Sequence, residues 1–149
     1  MFELFRKKIY KGDIVYLKEK YHVSEQTAYD GIATIYYDVY NYNNEKVGSV
    51  DLRTTSNDYL YYYGNIGYNI IESKRGHNYS YYACLLLMKI AKEEYGMEEL
   101  LITCSPENIA SHKIIKKLNG EFIELTDVPK YHPLYSNGET KKYIYRFKV

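Results

Sequence analysis

Gly64-Asn65-Ile66-Gly67-Tyr68-Asn69-Ile70-Ile71-Glu72-Ser73-Lys74-Arg75-Gly76-His77-Asn78-Tyr79-Ser80 decides how this chain folds. It starts as an apolar strand, passes through a short polar loop, and enters an amphipathic helix. In that helix Tyr79, Tyr82, Ala83, Leu86 and Ile90 recur at helical spacing, and Gly96 is its stop. A helix starting straight after a strand leaves N–H groups without intrahelical partners, aimed past the strand's end. Such a terminus suits a phosphate, so a phosphate-bearing cofactor is the first expectation.

Downstream, Leu100-Leu101-Ile102-Thr103-Cys104 reads as a buried strand. Ser105-Pro106-Glu107 reads as a helix start, with a capping serine and a proline in the first turn. Ile109, Ile114, Ile115 and Leu118 mark that helix, and Asn119-Gly120 ends it. Residues 122–125 and 142–149 read as the last two strands, and the loop between them carries Pro129, Pro133 and Asn137-Gly138. Upstream, Ile14-Val15-Tyr16-Leu17 is a short apolar run. Residues 33–40 and 47–53 read as strands joined by a polar hairpin turn at 41–46. A turn at Ser56-Asn57-Asp58 leads into residues 59–71, read as one long strand. Gly64 and Gly67 interrupt it, as at a bulge or a close approach by a ligand. Residues 18–30 fit helix and loop equally. Strand, helix and strand over 59–104 form a βαβ unit, so its two strands are expected as parallel neighbours with a right-handed crossover. With no internal repeat or linker, the 149 residues read as one α/β (α+β) domain, long enough to bury a core.

Twenty basic against 19 acidic residues, with no lysine/arginine run, argues against a nucleic-acid or membrane footprint. The longest apolar run, residues 83–88, is far short of a membrane span. Phe2-Glu3-Leu4-Phe5 is followed at once by Arg6-Lys7-Lys8, which is no signal-peptide pattern. Cys84 and Cys104 lie in apolar segments with neither metal-ligand nor redox spacing, as buried thiols in a reducing cytoplasm would. A cytoplasmic location is expected, with no metal. The 21 tyrosines, with no tryptophan, fit either an aromatic cage for a cation or a biased composition, and alone decide nothing.

Residues 64–122 resemble the GNAT superfamily of acetyl-CoA-dependent N-acetyltransferases. Three parts stand in the right order: the strand Ile66-Gly67-Tyr68-Asn69-Ile70; Arg75-Gly76-His77-Asn78-Tyr79-Ser80 on the family's Arg/Gln-x-x-Gly-x-Gly/Ala loop; and Asn108-Ile109-Ala110-Ser111, then Lys117 and Asn119-Gly120, on its Asn-x-x-Ala/Ser helix. The strands outside this stretch fit the family's order and carry no motif. Asn78 stands where the family usually has glycine, and asparagine tolerates left-handed backbone best after glycine. Ser80 replaces a glycine or alanine.

The resemblance implies a GNAT-like domain with a mixed central sheet and a β-α-β-α cofactor-binding core. Acetyl-CoA would be the co-substrate. Backbone amides of Gly76, His77, Asn78, Tyr79 and Ser80 would hold the pyrophosphate, assisted by Arg75 and the helix dipole. Main-chain groups of Tyr68, Asn69 and Ile70 would pair with the pantetheine arm, at a point where family strands splay apart. Asn108 would hydrogen-bond that arm, and Ser111 is a weaker contact that also fits mere packing. Homodimerisation is common in the family, although nothing in this sequence shows it.

Acetylating an amine requires removing its proton, stabilising the thioester oxyanion and neutralising the departing thiolate. A backbone N–H of residues 68–70 meets the second need. The family's usual tyrosine acid falls on Ile115, and a glutamate base carried by some members falls near Asn65, so the catalytic residues stay unassigned. Glu72 and Asp51 read as solvated or structural, His77 as facing solvent, His112 as lying on an exposed helix face, and Cys104 as a small buried residue. Arg53, at a strand end, is a weak candidate for an acidic group on the acceptor. That acceptor reads as a small-molecule amine, an amino sugar or a protein or peptide N-terminus. The alternatives are a non-catalytic acyl-CoA sensor of the same fold and a tyrosine-rich interaction domain without a cofactor.

Overall fold

A computed structural model of the chain describes residues 7–149. Phe2 to Arg6, read above for targeting signals, lie outside the described residues. Strands β1 (Ile9–Lys11), β2 (Val15–Val23), β3 (Thr34–Asn41), β4 (Lys46–Arg53) and β5 (Ile66–Ile70) form one antiparallel sheet in that order. Strands β6 (Glu99–Cys104), β7 (Glu121–Asp127) and β8 (Lys141–Lys148) form a second, in the order β6-β8-β7. Helices α1 (Leu60–Tyr63), α2 (Tyr79–Tyr95), α3 (Ile109–Lys117) and α4 (Pro133–Ser136) complete the fold.

One core joins the two sheets. In β3 and β4 alternate residues face it, with Ile35, Tyr37, Val39, Val50 and Leu52 buried. Helix α2 packs there through Ala83, Cys84, Leu86, Leu87, Ile90 and Ala91, and its end is capped by Gly96 in the left-handed region.

Four expectations need correction. Residues 59–71 are not one strand. Asn57 Oδ1 accepts from the N–H groups of Tyr59 and Leu60, both at 3.0 Å, and so caps the turn α1. Gly64, at φ 76°, ends that turn, so the strand is only β5. Second, residues 18–23 are strand, because β2 continues past a bulge between Glu19 and Tyr21, and turns follow. Third, Ser105 does not cap α3. Asn108 does, its side chain accepting from Ser111 N at 3.1 Å, while Ser105 Oγ bonds Glu139 at 2.7 Å. Fourth, β5 and β6 form no ladder. They meet where Asn65 N–H donates to Leu101 O (2.7 Å) and Asn65 Oδ1 accepts from Leu101 N (2.8 Å), and belong to different sheets beyond. The central sheet is thus split at the place where splayed strands were expected.

Candidate active site

The split leaves one edge of β5 open, and the register shows which groups it presents. Arg53 N–H donates to Asn65 O and Ile71 N–H to Val47 O, bracketing a ladder in which Asp51 faces Gly67 and Ser49 faces Asn69. Bonded pairs alternate in an antiparallel ladder. Gly67 and Asn69 therefore turn their backbone groups toward β4, and Ile66, Tyr68 and Ile70 turn theirs into the gap. The Ile70 carbonyl accepts from Arg75 Nε at 3.1 Å, which fastens the loop to the strand.

That loop passes through a 3-10 turn (Glu72–Lys74) and reaches α2 with Gly76 at φ 94° and Asn78 at φ 60°. Asparagine does here what glycine does elsewhere, holding a left-handed bend. Its side chain makes no cap bond, and among the described residues no backbone acceptor is found for the N–H groups of Gly76 to Ser80. These amides are free for an anion at the positive end of a 17-residue helix.

Strand edge, loop and α3 enclose a single cavity of about 470 Å³. The structure brings ten of the eleven residues expected at the cofactor into its wall: Tyr68, Asn69 and Ile70 from β5; Arg75, Gly76, Asn78, Tyr79 and Ser80 from the loop and helix start; Asn108 and Ser111 from α3. His77 is not in the wall. It is exposed, with its ring 5.2 Å from that of Tyr79. Lys74, Ala110 and Ile114 also line the cavity. Asn108 spends its oxygen on the α3 cap, which leaves its amide N–H groups for a ligand.

The Tyr68 side chain has a place the sequence did not signal. Its hydroxyl spans from β5 to α3, 2.5 Å from Ser111 Oγ. Burial holds this phenol above the ordinary tyrosine range, and the Ser111 bond offsets that only in part. Ile115 is fully buried in the core, so no helix phenol points into the cavity from that position.

Away from the cavity, Arg53 is already engaged. Its Nη1 donates to the carbonyls of Tyr63 (3.2 Å) and Gly64 (3.0 Å), and its Nη2 lies 3.2 Å from Asp51 Oδ2. Asp51 is not solvated, its side chain being only 17% exposed. His112 does not lie free on a helix face either; it stacks on Tyr143 at 4.4 Å, and Nε2 bonds the Tyr145 hydroxyl at 2.8 Å. Burial, then Lys116, lowers its pKa. Cys104 is buried, which pushes its thiol up to about 11 against a smaller opposing effect of Lys142. His132, passed over in the sequence, is fully buried among Tyr59, Tyr62 and Tyr63. It accepts from Leu134 N at Nδ1, so Nε2 carries the proton donated to Tyr59 O at 3.0 Å.

A split sheet with a free strand edge beside an open helix terminus offers one cavity to an extended amide-bearing chain and an anionic group together. The acetyltransferase (GNAT) domain model matches residues 16–121, well over half of the chain, and the chain belongs to that family. It is an acyltransferase, and acetyl-CoA is its co-substrate. Among solved structures, a GNAT-family acetyltransferase from Bacillus anthracis superposes with a TM-score of 0.69 at 13% identity, covering 95% of this chain and 98% of that one. A protein from Vibrio cholerae assigned as a ribosomal-protein-serine acetyltransferase matches with a TM-score of 0.68 at 14% identity, with the same coverage. So does RimL, the ribosomal L7/L12 alpha-N-protein acetyltransferase, in complex with coenzyme A (TM-score 0.68, 14% identity, 95% and 98% covered). At these identities the likeness is one of fold. No curated protein sequence matches significantly. Among the described residues no helix is long and apolar enough to cross a membrane.

Proposed function

We propose that this protein transfers an acetyl group from acetyl-CoA to a primary amine by direct attack, without an acyl-enzyme intermediate. The observation that carries the reading is the meeting of two binding surfaces in one cavity: the free edge of β5 and the unpartnered amides at the start of α2. The first suits the amide-bearing pantetheine arm, which adds like a strand. The second suits a pyrophosphate. The bound co-substrate supplies the activated acetyl thioester. The outward N–H of Tyr68 or Ile70 is the oxyanion donor, and the Tyr68 hydroxyl is the proton donor for the leaving sulfur. Because a thiol has a pKa near 8–9, its departure needs less acid assistance than that of an alkoxide.

A protein or peptide N-terminus is the first acceptor class to try, since RimL, one of the similar structures, is a ribosomal L7/L12 alpha-N-protein acetyltransferase; small-molecule amines are the second. The two unpaired cysteines suit the cytoplasm, where acetyl-CoA is available. The buried Ile115 favours a second reading, a sensor that binds acetyl-CoA without turning it over. A thermal-shift titration with acetyl-CoA, free CoA and ATP tests the cofactor first. Acetyl-CoA is expected to raise the melting temperature and ATP is not. Thiol release on adding amines then separates enzyme from sensor, and a family-typical homodimer is checked by size-exclusion chromatography with light scattering.

A further inference from the structure

Val50, Leu52 and Ile66 bury their side chains in the core with α2, so Asp51 and its ladder partner Gly67 face the other side of the sheet. No helix covers that side between β2 and β3, where residues 24–33 form only turns. The Asp51 Oδ2 atom is buried and accepts no hydrogen bond. Its 3.2 Å approach to Arg53 is an ion pair without hydrogen-bond alignment, and Arg53 itself is pinned to the Tyr63 and Gly64 carbonyls. Gly67 lets this carboxylate lie on the β5 backbone, since a Cβ there would stand 2.5 Å from Oδ1. Asp51 therefore sits one residue from Tyr68, across the strand from the cofactor cavity. A carboxylate so little hydrated is costly unless its lone pairs are used, and a second cation bearing N–H donors would use them.

We infer that this face is the acceptor site for a cationic primary amine, with Asp51 binding the ammonium and taking its proton; the inference rests on the acetyl-transfer reading above. Facing Asp51 are Arg53 on its own strand and Tyr36 from β3, with Tyr21 of β2 stacked on it at 4.6 Å; Tyr63 from α1 lies against Arg53, and Asp30 lies near both Tyr36 and Tyr63. Tyrosine rings beside a carboxylate suit a cation. Burial raises the Asp51 pKa and Arg53 offsets this only in part, which makes the carboxylate a stronger base. One ammonium proton passes to Asp51, and the freed nitrogen lone pair attacks the thioester carbon. The N–C bond forms and the C–S bond breaks, its electron pair leaving on sulfur. The Tyr68 hydroxyl gives its proton to that thiolate and regains one through solvent from the second N–H, while Asp51 releases the first proton to solvent, so ammonium and thioester become amide, thiol and one free proton.

The full chain and Asp51→Asn are compared with two acceptors at pH 7: a tripeptide with a free N-terminus, which is an ammonium, and hydroxylamine, which is already neutral. Asp51→Asn is expected to lose about 100-fold or more in kcat/KM for the tripeptide and only a few-fold for hydroxylamine. The acid limb of the wild-type tripeptide pH profile should vanish in the variant, while the thermal shift with acetyl-CoA stays unchanged. Equal losses for both acceptors, or a retained acid limb, overturn the role of Asp51. A wild type that binds acetyl-CoA yet acetylates neither probe also overturns it and leaves the cofactor site standing. If acetyl-CoA does not shift the wild-type melt, the cofactor reading itself has failed.

Discussion

A methyl group on Gly67 would stand 2.5 Å from Asp51 Oδ1 and 3.0 Å from Arg53 Nη2, so the carboxylate must shift against a guanidinium that is held by the Tyr63 and Gly64 carbonyls. Gly67→Ala is expected to cost about 1–3 kcal/mol of stability through this overpacking, measured by denaturant unfolding. The pH dependence of Asp51 has a definite sign. Its raised pKa means that the folded state holds a proton which the unfolded chain has already released. Stability therefore falls as pH rises from the ordinary carboxylate pKa through the raised one, and Asp51→Asn should remove that slope in melts taken across the window. At Asn78 the sequence was legible: an asparagine in place of a loop glycine signals a left-handed bend, and φ is 60°. Asn78→Val should cost about 1–2 kcal/mol and raise the KM for acetyl-CoA, whereas Asn78→Gly should keep both. Nothing local marked Asp51, because its partners Gly67 and Tyr36 come from other strands.

The elements differ in how much of their form is local. Helix α2 was readable because its apolar face repeats over 17 residues and a glycine ends it. Helix α1 was not. Leu60-Tyr61-Tyr62-Tyr63 has strand composition, and it turns because Asn57 Oδ1 holds the N–H groups of Tyr59 and Leu60, Gly64 stops it, and the distant His132 packs against its Tyr62 and Tyr63 and against Tyr59 just before it. Helix α3 shows competition between two caps. Ser105 and Asn108 are both suitable residues, and Asn108 accepts from Ser111 while Ser105 turns to Glu139. Asn108→Ala should cost about 1 kcal/mol in stability and raise the KM for acetyl-CoA with little change in kcat. Tyr68→Phe separates the roles of the facing strand: losing the hydroxyl on Ser111 should lower kcat and spare acetyl-CoA affinity. A loss confined to affinity would make that hydroxyl a packing group.

At the scale of the molecule, two antiparallel sheets share one core and part after Asn65 and Leu101, beside the cavity. Both cysteines lie in that core, and burial raises their thiols to about 12 at Cys84 and about 11 at Cys104. Neither should react with an aromatic disulfide reagent at pH 8 until the chain unfolds, so thiol counts on native and denatured protein check the packing directly. The sequence by itself determined the family, the order of most elements and the left-handed loop that opens α2, because these are written in contiguous periodicity and in residues with special backbone preferences. The tertiary structure alone decided that β5 and β6 part after Asn65 and Leu101, that Tyr68 crosses to Ser111, and that Asp51 rests on Gly67. Each is a meeting of residues far apart in the chain, fixed by register and packing, and no local pattern encodes it.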